Sequence, residues 1–278
     1  MRKLLSWLSR WSDQGPEPVQ PVERYHTTIE AEDALVYAVG DVHGCLAELM
    51  RLETLIAEDA KSHAGPKYIV MTGDYVDRGP NSAGVIEYLL GPPPAGFQRI
   101  CLAGNHDASM LNFLTDRRGD PTWIRIGGAE TLRSYGLESP RTAGGRFYLR
   151  TLAELAAAKV PPEHRQFLED LRWTARFGRY LIVHAGIRPG IGLADQRPVD
   201  LLWIRDEFIH SSDPLDFVVV HGHTPVDQPL RTDRRIAIDT AAYATGRLTA
   251  VKLQPDQVSF LTATAGMSPF PSLLAAGR

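Results

Sequence analysis

Only two cysteines, Cys45 and Cys101, occur in the 278 residues. So few argue against a disulfide framework and make a reducing, cytoplasmic setting the expectation. Nowhere do about 18 apolar residues run together, so no transmembrane helix is expected. A surplus of positive charge is also missing. Lys and Arg number 30 against 33 Asp and Glu, a net charge of −3, which argues against nucleic acid as a partner. Residues 1–11 begin charged and turn apolar, but Ser6, Ser9 and Arg10 break the stretch and no small-residue cleavage pattern follows. It does not read as a signal peptide. It reads as a frayed tail, with a short amphipathic surface helix as the alternative. Pro16, Pro18 and Pro21 then mark an extended linker, so residues 1–33 are assigned as tail and linker, 34–265 as the folded domain and 266–278 as a loose C-terminal tail.

The chain does contain a recurring pattern of short apolar strands ending in polar, glycine-bounded turns. Leu35–Val39 runs into Gly40-Asp41-Val42-His43-Gly44, and a helix with apolar residues near helical spacing follows over about 46–59. Tyr68–Met71 runs into Gly73-Asp74-Tyr75-Val76-Asp77-Arg78-Gly79, and a helix near Ser82–Leu90 follows. Arg99–Ala103 leads to a loop of Gly104-Asn105-His106-Asp107, Tyr180–Val183 to His184-Ala185-Gly186, and Phe217–Val220 to His221-Gly222-His223-Thr224. Strands alternating with helices imply largely parallel pairing, with a site at the strands' carboxyl ends. Residues 108–176 read as a helical insertion that walls the site, and 235–263 as a closing run of strands. The fold class is α/β.

The polar residues in those five turns are Asp, His, Asn and Arg, with no Ser or Cys nucleophile at a loop centre. Imidazole nitrogen and carboxylate oxygen suit divalent cations, and a guanidinium suits a phosphate oxyanion. The donors are numerous enough for two ions, and a carboxylate with two oxygens can bridge them, an arrangement that serves in-line displacement at phosphorus. One Asp-x-His in isolation is more often an ordinary turn. Five such turns at five strand ends make metal-assisted phosphoryl chemistry the reading of choice.

The ordered set GDVHG at 40–44, GDYVDRG at 73–79, GNHD at 104–107, HAG at 184–186 and GHT at 222–224 resembles the PPP-type serine/threonine phosphatases. More exactly it resembles their bacterial and phage branch, within the calcineurin-like metallophosphoesterase superfamily, and the likeness spans about 35–253. It implies a two-sheet β-sandwich flanked by helices. By that resemblance Asp41 and His43 hold a first divalent ion, Asp74 bridges, and Asn105, His184 and His223 hold a second. Manganese is the leading metal, with iron or zinc as alternatives. His106 would be the general acid with Asp77 orienting its ring, and the nucleophile a hydroxide held between the ions. Arg78 and Arg205 would clamp the phosphate, with Asn105 close to it.

Departures from the family pattern bear on substrate. Pro225 stands where a Gly-His-x-His motif would supply another ligand, and His221, ahead of Gly222, is assigned to the core or to support of the ligands. Asp107 replaces the Glu of many eukaryotic-type members and resembles symmetrical dinucleoside tetraphosphatases. Asp77 before Arg78, and Thr224 after His223, resemble the phosphatases instead. Asp239 is a turn residue or a support for His184 or His223. Cys45 reads as a small buried hydrophobe, and His26, His63, His164 and His210 as surface residues. Trp123 reads as core, Trp203 as a pocket wall, and the run 122–128 as either a substrate-positioning segment or a glycine-mediated helix contact. Arginines 117, 118, 125, 133, 141 and 146 leave a nucleotide pocket open. The leading expectation is hydrolysis of phosphoserine and phosphothreonine in proteins. The alternatives are hydrolysis of diadenosine tetraphosphate and, from another class, an inactive binding scaffold.

Overall fold

The computed structural model describes residues 26–115, 121–138, 146–255 and 257–266, without the side chains of 146 and 147. The amphipathic N-terminal segment, the C-terminal tail, arginines 117, 118 and 141, and the side chain of Arg146 therefore lie outside the described residues.

Two sheets form the body. One holds β2 (Leu35–Val39), β3 (Lys67–Met71), β4 (Phe97–Cys101), β10 (Arg247–Leu253) and β11 (Val258–Thr264) in the order β11-β10-β2-β3-β4. The other holds β1 (His26–Ile29), β5 (Thr174–Phe177), β6 (Tyr180–Val183), β7 (Val218–His221), β8 (Leu230–Arg231) and β9 (Arg235–Ala237) in the order β1-β5-β6-β7-β9-β8. The central neighbours are parallel: β2 with β3, β3 with β4, β6 with β7 and β7 with β9. This is the two-sheet architecture that the resemblance implies.

Period-two alternation decides how the layers form. Along β2, Val36 and Ala38 face the second sheet and join Val70, Val251, Ala175, Ile182, Val220 and Ile236 in a buried core between the sheets. Leu35, Tyr37 and Val39 point the other way, onto α1 (Leu46–Asp59), whose Leu49, Leu52 and Ile56 are fully buried. A strand buried on both faces has no polar alternation to show, which is why β2 and β3 read as continuous apolar runs. Each Val, Leu or Ile side chain so taken from water contributes roughly 1.5–3 kcal/mol.

Among the described residues the remaining α-helices are α2 (Ser82–Leu90), α3 (Asn105–Thr115), α4 (Ala129–Ser134), α5 (Arg146–Lys159), α6 (Pro162–Glu169), α7 (Pro198–Trp203), α8 (Asp206–Ile209) and α9 (Ala242–Thr245). A π-helical turn over Ile124–Gly128 leads into α4. The structure corrects the sequence reading in three places. The sheets begin at β1, upstream of Ala34, and pair it with β5. The helical insertion ends by Glu169, because Thr174–Phe177 is a strand. Asn105-His106-Asp107 is the first turn of α3 rather than a loop.

Candidate metal centre and active site

The parallel strands β2, β3, β6 and β7 and the start of α3 deliver their polar residues to one place. Asp74 lies at its middle. Its Oδ2 is 3.5 Å from His43 Nε2, 3.6 Å from His184 Nε2 and 3.9 Å from His106 Nε2. Two buried triplets bring their ligand atoms within 4.8 Å of one another: His43, Asp74 and His106, and Asp74, His184 and His223. Asp74 belongs to both. Asn105 joins the second group through Oδ1, 2.9 Å from His184 Nε2. Asp41 is buried but belongs to neither triplet; its carboxylate accepts the His223 main-chain N–H at 3.0 and 3.2 Å.

These residues fit divalent cations, and the test is local. His43 Nδ1 lies 2.7 Å from the Val76 carbonyl and His184 Nδ1 3.0 Å from the Thr72 carbonyl. A carbonyl can only accept, so each Nδ1 carries the proton and each Nε2 turns a lone pair inward. The Nε2 atoms of His43 and His223 are buried with no hydrogen-bond partner among the described residues. Buried polar atoms are seldom left so, and an electron-pair acceptor at the centre accounts for both. The metal's identity is open to any cation that takes N and O donors.

The electrostatics agree. Burial pushes His43 down to about 3 and His223 to about 2, keeping both neutral and able to ligate. Burial and then Asp239 and Asp74 push Asp41 well up. Asp239, a residue of ambiguous role in the sequence, is buried beside this cluster. Burial raises it to about 6, and its Oδ1 accepts the Ala241 N–H at 2.8 Å.

His106 Nδ1 is 2.6 Å from Asp77 Oδ2, and His106 Nε2 is 2.9 Å from Arg78 Nη2. Arg78 can only donate, so Nε2 accepts and the ring as placed is neutral, with its proton on Nδ1. Burial lowers the His106 pKa, but Asp74 and the Asp77 bond together outweigh burial and Arg78, and lift it above the ordinary value. Arg205 is exposed and at 3.5 Å barely reaches Thr224 Oγ1, yet it is near enough to help keep His223 and His184 neutral. Trp203 meets the His223 ring edge-on at 6.2 Å, in keeping with a wall.

Six non-glycine residues among those described have positive φ: His43, Asp74, Asp77, Arg78, His223 and Ala241. Five are residues singled out from the sequence. Such backbone costs about 1–3 kcal/mol per residue and persists where surroundings over-determine it, as at functional sites. The chain also packs too closely at Gly222 for a side chain: an added Cβ would lie 1.9 Å from Asp41 Oδ1.

Several residues carry more than the sequence suggested. Trp123 Nε1 and Thr131 Oγ1 both donate to Asp77. Only the singled-out run 122–128 hinted at the first, and nothing local at the second. Tyr243, 40% exposed, packs under the Arg78 guanidinium at 4.9 Å and edge-on to His43 at 5.3 Å. His164 is a correction: it is buried, between Tyr135 Oη at 2.8 Å and Glu87 Oε2 at 2.9 Å. His221 is core, packed edge-on to Phe208, with Nδ1 on the Gly222 carbonyl. Burial and then Glu48 push the Cys45 thiol up to about 12, so it is an inert buried hydrophobe. No helix among the described residues is long and apolar enough to cross a membrane.

Comparison with known proteins follows the same lines. The family model for calcineurin-like phosphoesterases matches residues 34–258. A bis(5'-nucleosyl)-tetraphosphatase PrpE [asymmetrical] from Bacillus subtilis is 27% identical over 237 residues, which cover 77% of this chain and 88% of the relative. The crystal structure of a candidate diadenosine tetraphosphatase superposes with a TM-score of 0.58 at 20% identity, covering 87% of this chain and 99% of that one. A serine/threonine phosphatase from Saccharomyces cerevisiae similar to human PP5 superposes at 0.52 with 16% identity, covering 89% and 87%.

Proposed function

The chain belongs to the calcineurin-like phosphoesterases, metal-dependent hydrolases of phosphate esters, and within that family we propose that it hydrolyses dinucleoside tetraphosphates, cutting the polyphosphate bridge off centre. The observation that carries the substrate is the likeness to the Bacillus subtilis tetraphosphatase along 88% of that protein. The phosphoprotein expectation, carried by the motif likeness at Asp77 and Thr224, is set aside: the likeness to the yeast phosphatase, at 16% identity, speaks of fold alone and adds nothing to it. The symmetrical cleavage considered for the alternative likewise gives way to the asymmetrical pattern for which the relative is named. Tyr243 supports the reading, because it sets an exposed aromatic face, suited to a base or ribose, beside Arg78.

In this reading Asp41, His43 and Asp74 hold one divalent ion, and Asp74, Asn105, His184 and His223 hold the other. When bound, such a pair draws charge from the phosphoryl oxygens and lowers the pKa of water. The rest is the chain's own work. Arg78 and Arg205 grip the phosphate oxygens from the two sides of the cluster, with Asn105 beside them. An oxyanion draws the Arg78 guanidinium towards the phosphate and away from His106 Nε2, which stands 2.9 Å from Nη2. Once Arg78 turns to the phosphate, Nε2 is free to take a proton from solvent, and Asp77 on Nδ1 stabilises the resulting imidazolium. His106 then gives that proton to the departing oxygen.

The test sets manganese-loaded protein against diadenosine tetraphosphate and a phosphoserine peptide side by side at equal concentration, with products separated by chromatography. AMP and ATP in equal amounts, faster than phosphate release from the peptide, is the expected result. ADP alone would move the cut to the centre of the bridge. Preference for the peptide would overturn the substrate, and no turnover of either would return the scaffold reading.

A further inference from the structure

We infer that Trp123 and Thr131, carried by the helical insertion, are positioning residues for the reaction: they fix the Asp77 carboxylate and, through it, the His106 ring. The inference rests on the reading of His106 as the acid.

Asp77 is fully buried, and its carboxylate is the meeting point of three donors. His106 Nδ1 takes Oδ2 at 2.6 Å, Thr131 Oγ1 takes Oδ1 at 2.7 Å, and Trp123 Nε1 lies 3.0 Å from both oxygens. An indole N–H sitting astride the two oxygens defines the plane of the carboxylate, and the hydroxyl defines its rotation within that plane. Bonds to an ionised acceptor are about twice as strong as neutral ones, so this is a stiff mount. Packing against Phe113, with ring centroids 4.8 Å apart, holds the indole in place.

The insertion also holds the backbone. Asp77 and Arg78 are consecutive non-glycine residues with φ of 75° and 67°. The Asp77 N–H donates to Thr131 Oγ1 at 2.8 Å and to Ser82 Oγ at 3.0 Å, and the Arg78 N–H to the Gly127 carbonyl at 3.3 Å. Two strained residues thus lean on three partners, two of them in the insertion.

Convergence of Trp123 and Thr131 needs a broken helix. Eight residues of straight α-helix would set them about 12 Å apart along the axis, out of reach of one carboxylate. The π-helical turn over Ile124–Gly128 and the φ of 133° at Gly127 fold the segment back. Gly127 lies so close that an added Cβ would come within 2.9 Å of Arg78 Cγ. The insertion is therefore part of the catalytic mount, beyond its role as a wall.

The experiment uses the full chain loaded with manganese and six variants: Trp123→Phe, Thr131→Val, Thr131→Ser, His106→Asn, Asp77→Asn and Trp123→Phe combined with Asp77→Asn. The readouts are kcat and KM for diadenosine tetraphosphate, rates for a series of aryl and alkyl phosphates of rising leaving-group pKa, bound metal and Tm. Trp123→Phe and Thr131→Val should each lower kcat by about tenfold, inside the about 10²–10⁴ that a general acid supplies. KM and bound metal should stay near wild type, Tm should fall modestly with the lost buried hydrogen bond, and Thr131→Ser should restore both Tm and kcat. The deficit should grow with leaving-group pKa, and Trp123→Phe should change the rate by less than about twofold when added to Asp77→Asn. Wild-type kcat in both Trp123→Phe and Thr131→Val, or a full multiplicative effect on top of Asp77→Asn, would overturn the inference. If His106→Asn itself leaves the leaving-group dependence unchanged, the reading of His106 fails; if His106→Asn changes it and the insertion variants do not, the positioning role alone fails.

Discussion

Asp107 Oδ2 accepts the main-chain N–H of Asp74 at 2.7 Å, so the acid that stands in place of the Glu of many eukaryotic-type members works behind the centre, on its backbone. Oδ1 takes the Tyr75 N–H at 2.9 Å, and Oδ2 also takes the Gly104 N–H at 2.9 Å. Three amides from two loops converge on one buried carboxylate and hold Asp74 at its positive φ. Asp107 therefore ties the β3 loop to the start of α3 and says little about substrate.

Replacing Asp107 with Asn would set an NH₂ group against amide donors and leave buried N–H groups unpaired. A cost of about 2 kcal/mol or more is expected. Asp74 loses its anchor with it, so bound metal should fall together with Tm. Thermal melts and metal analysis on the purified variant check both, and normal values for both would remove Asp107 from its anchoring role.

Gly222 gives a sharper probe of Asp41. An alanine methyl would lie 1.9 Å from Asp41 Oδ1 and 3.1 Å from Thr72 Oγ1, so the carboxylate must swing off the His223 N–H. Overpacking of this kind costs about 1–3 kcal/mol. Gly222→Ala should weaken one ion of the pair more than the other, read as a two-step loss of metal to a chelator. A single step at the wild-type chelator concentration would mean that Asp41 is not a ligand.

The strands that deliver the site were legible because they are buried on both faces and carry uninterrupted apolar residues, and each ends at glycine beside an acid, amide or imidazole. Edge elements were not. His26–Ile29 holds a single apolar residue and Leu230–Arg231 is two residues long, so their pairing is decided by the sheet and not by local pattern. The start of α3 reads as a loop in the sequence because Asn, His and Asp resemble turn residues as much as a first helical turn. Partners distant in sequence left no trace at all: Asp77 and Thr131 are 54 residues apart, and Glu87 and His164 are 77 apart. A histidine whose neighbours in sequence are polar looks exposed until Tyr135 and Glu87 arrive from elsewhere.

His221 predicts an acid-sensitive fold. Its buried ring is pushed down to about 4, by burial first, against an ordinary value of 6.5. Between those values the unfolded chain takes up a proton that the native ring refuses, so stability is complete above about pH 6.5 and is lost as pH falls towards 4. The full difference is on the order of 3 kcal/mol. In metal-free protein His43 and His223 act in the same direction, so the measurement is a difference: urea unfolding of wild type and His221→Phe at pH 7 and pH 4.5. Phe keeps the contact with Phe208 and cannot titrate, and its slope with pH should be shallower. Equal slopes would show that His221 is accessible to protons in the native state.

Asp74 and His106 should come apart when each is replaced by Asn. Asp74 Oδ2 stands between His43 Nε2 and His184 Nε2, at 3.5 and 3.6 Å, and no other carboxylate is shared by the two triplets. Removing its charge leaves both groups of imidazoles without their common anion, so Asp74→Asn should lose bound metal and turnover together. His106 is tied instead to Asp77 and Arg78, at 2.6 and 2.9 Å, and in the proposed reaction it serves the departing oxygen. His106→Asn should keep its metal and lose about 10²–10⁴ in turnover on a substrate with a poor leaving group. The first triplet, however, also contains His106. If His106→Asn drops one ion per chain, the imidazole is a ligand and proton delivery must come from elsewhere in the cluster. If Asp74→Asn keeps two ions, the shared carboxylate is not the bridge, and the pair must be held by Asp41 and Asp239 on one side and Asn105 on the other.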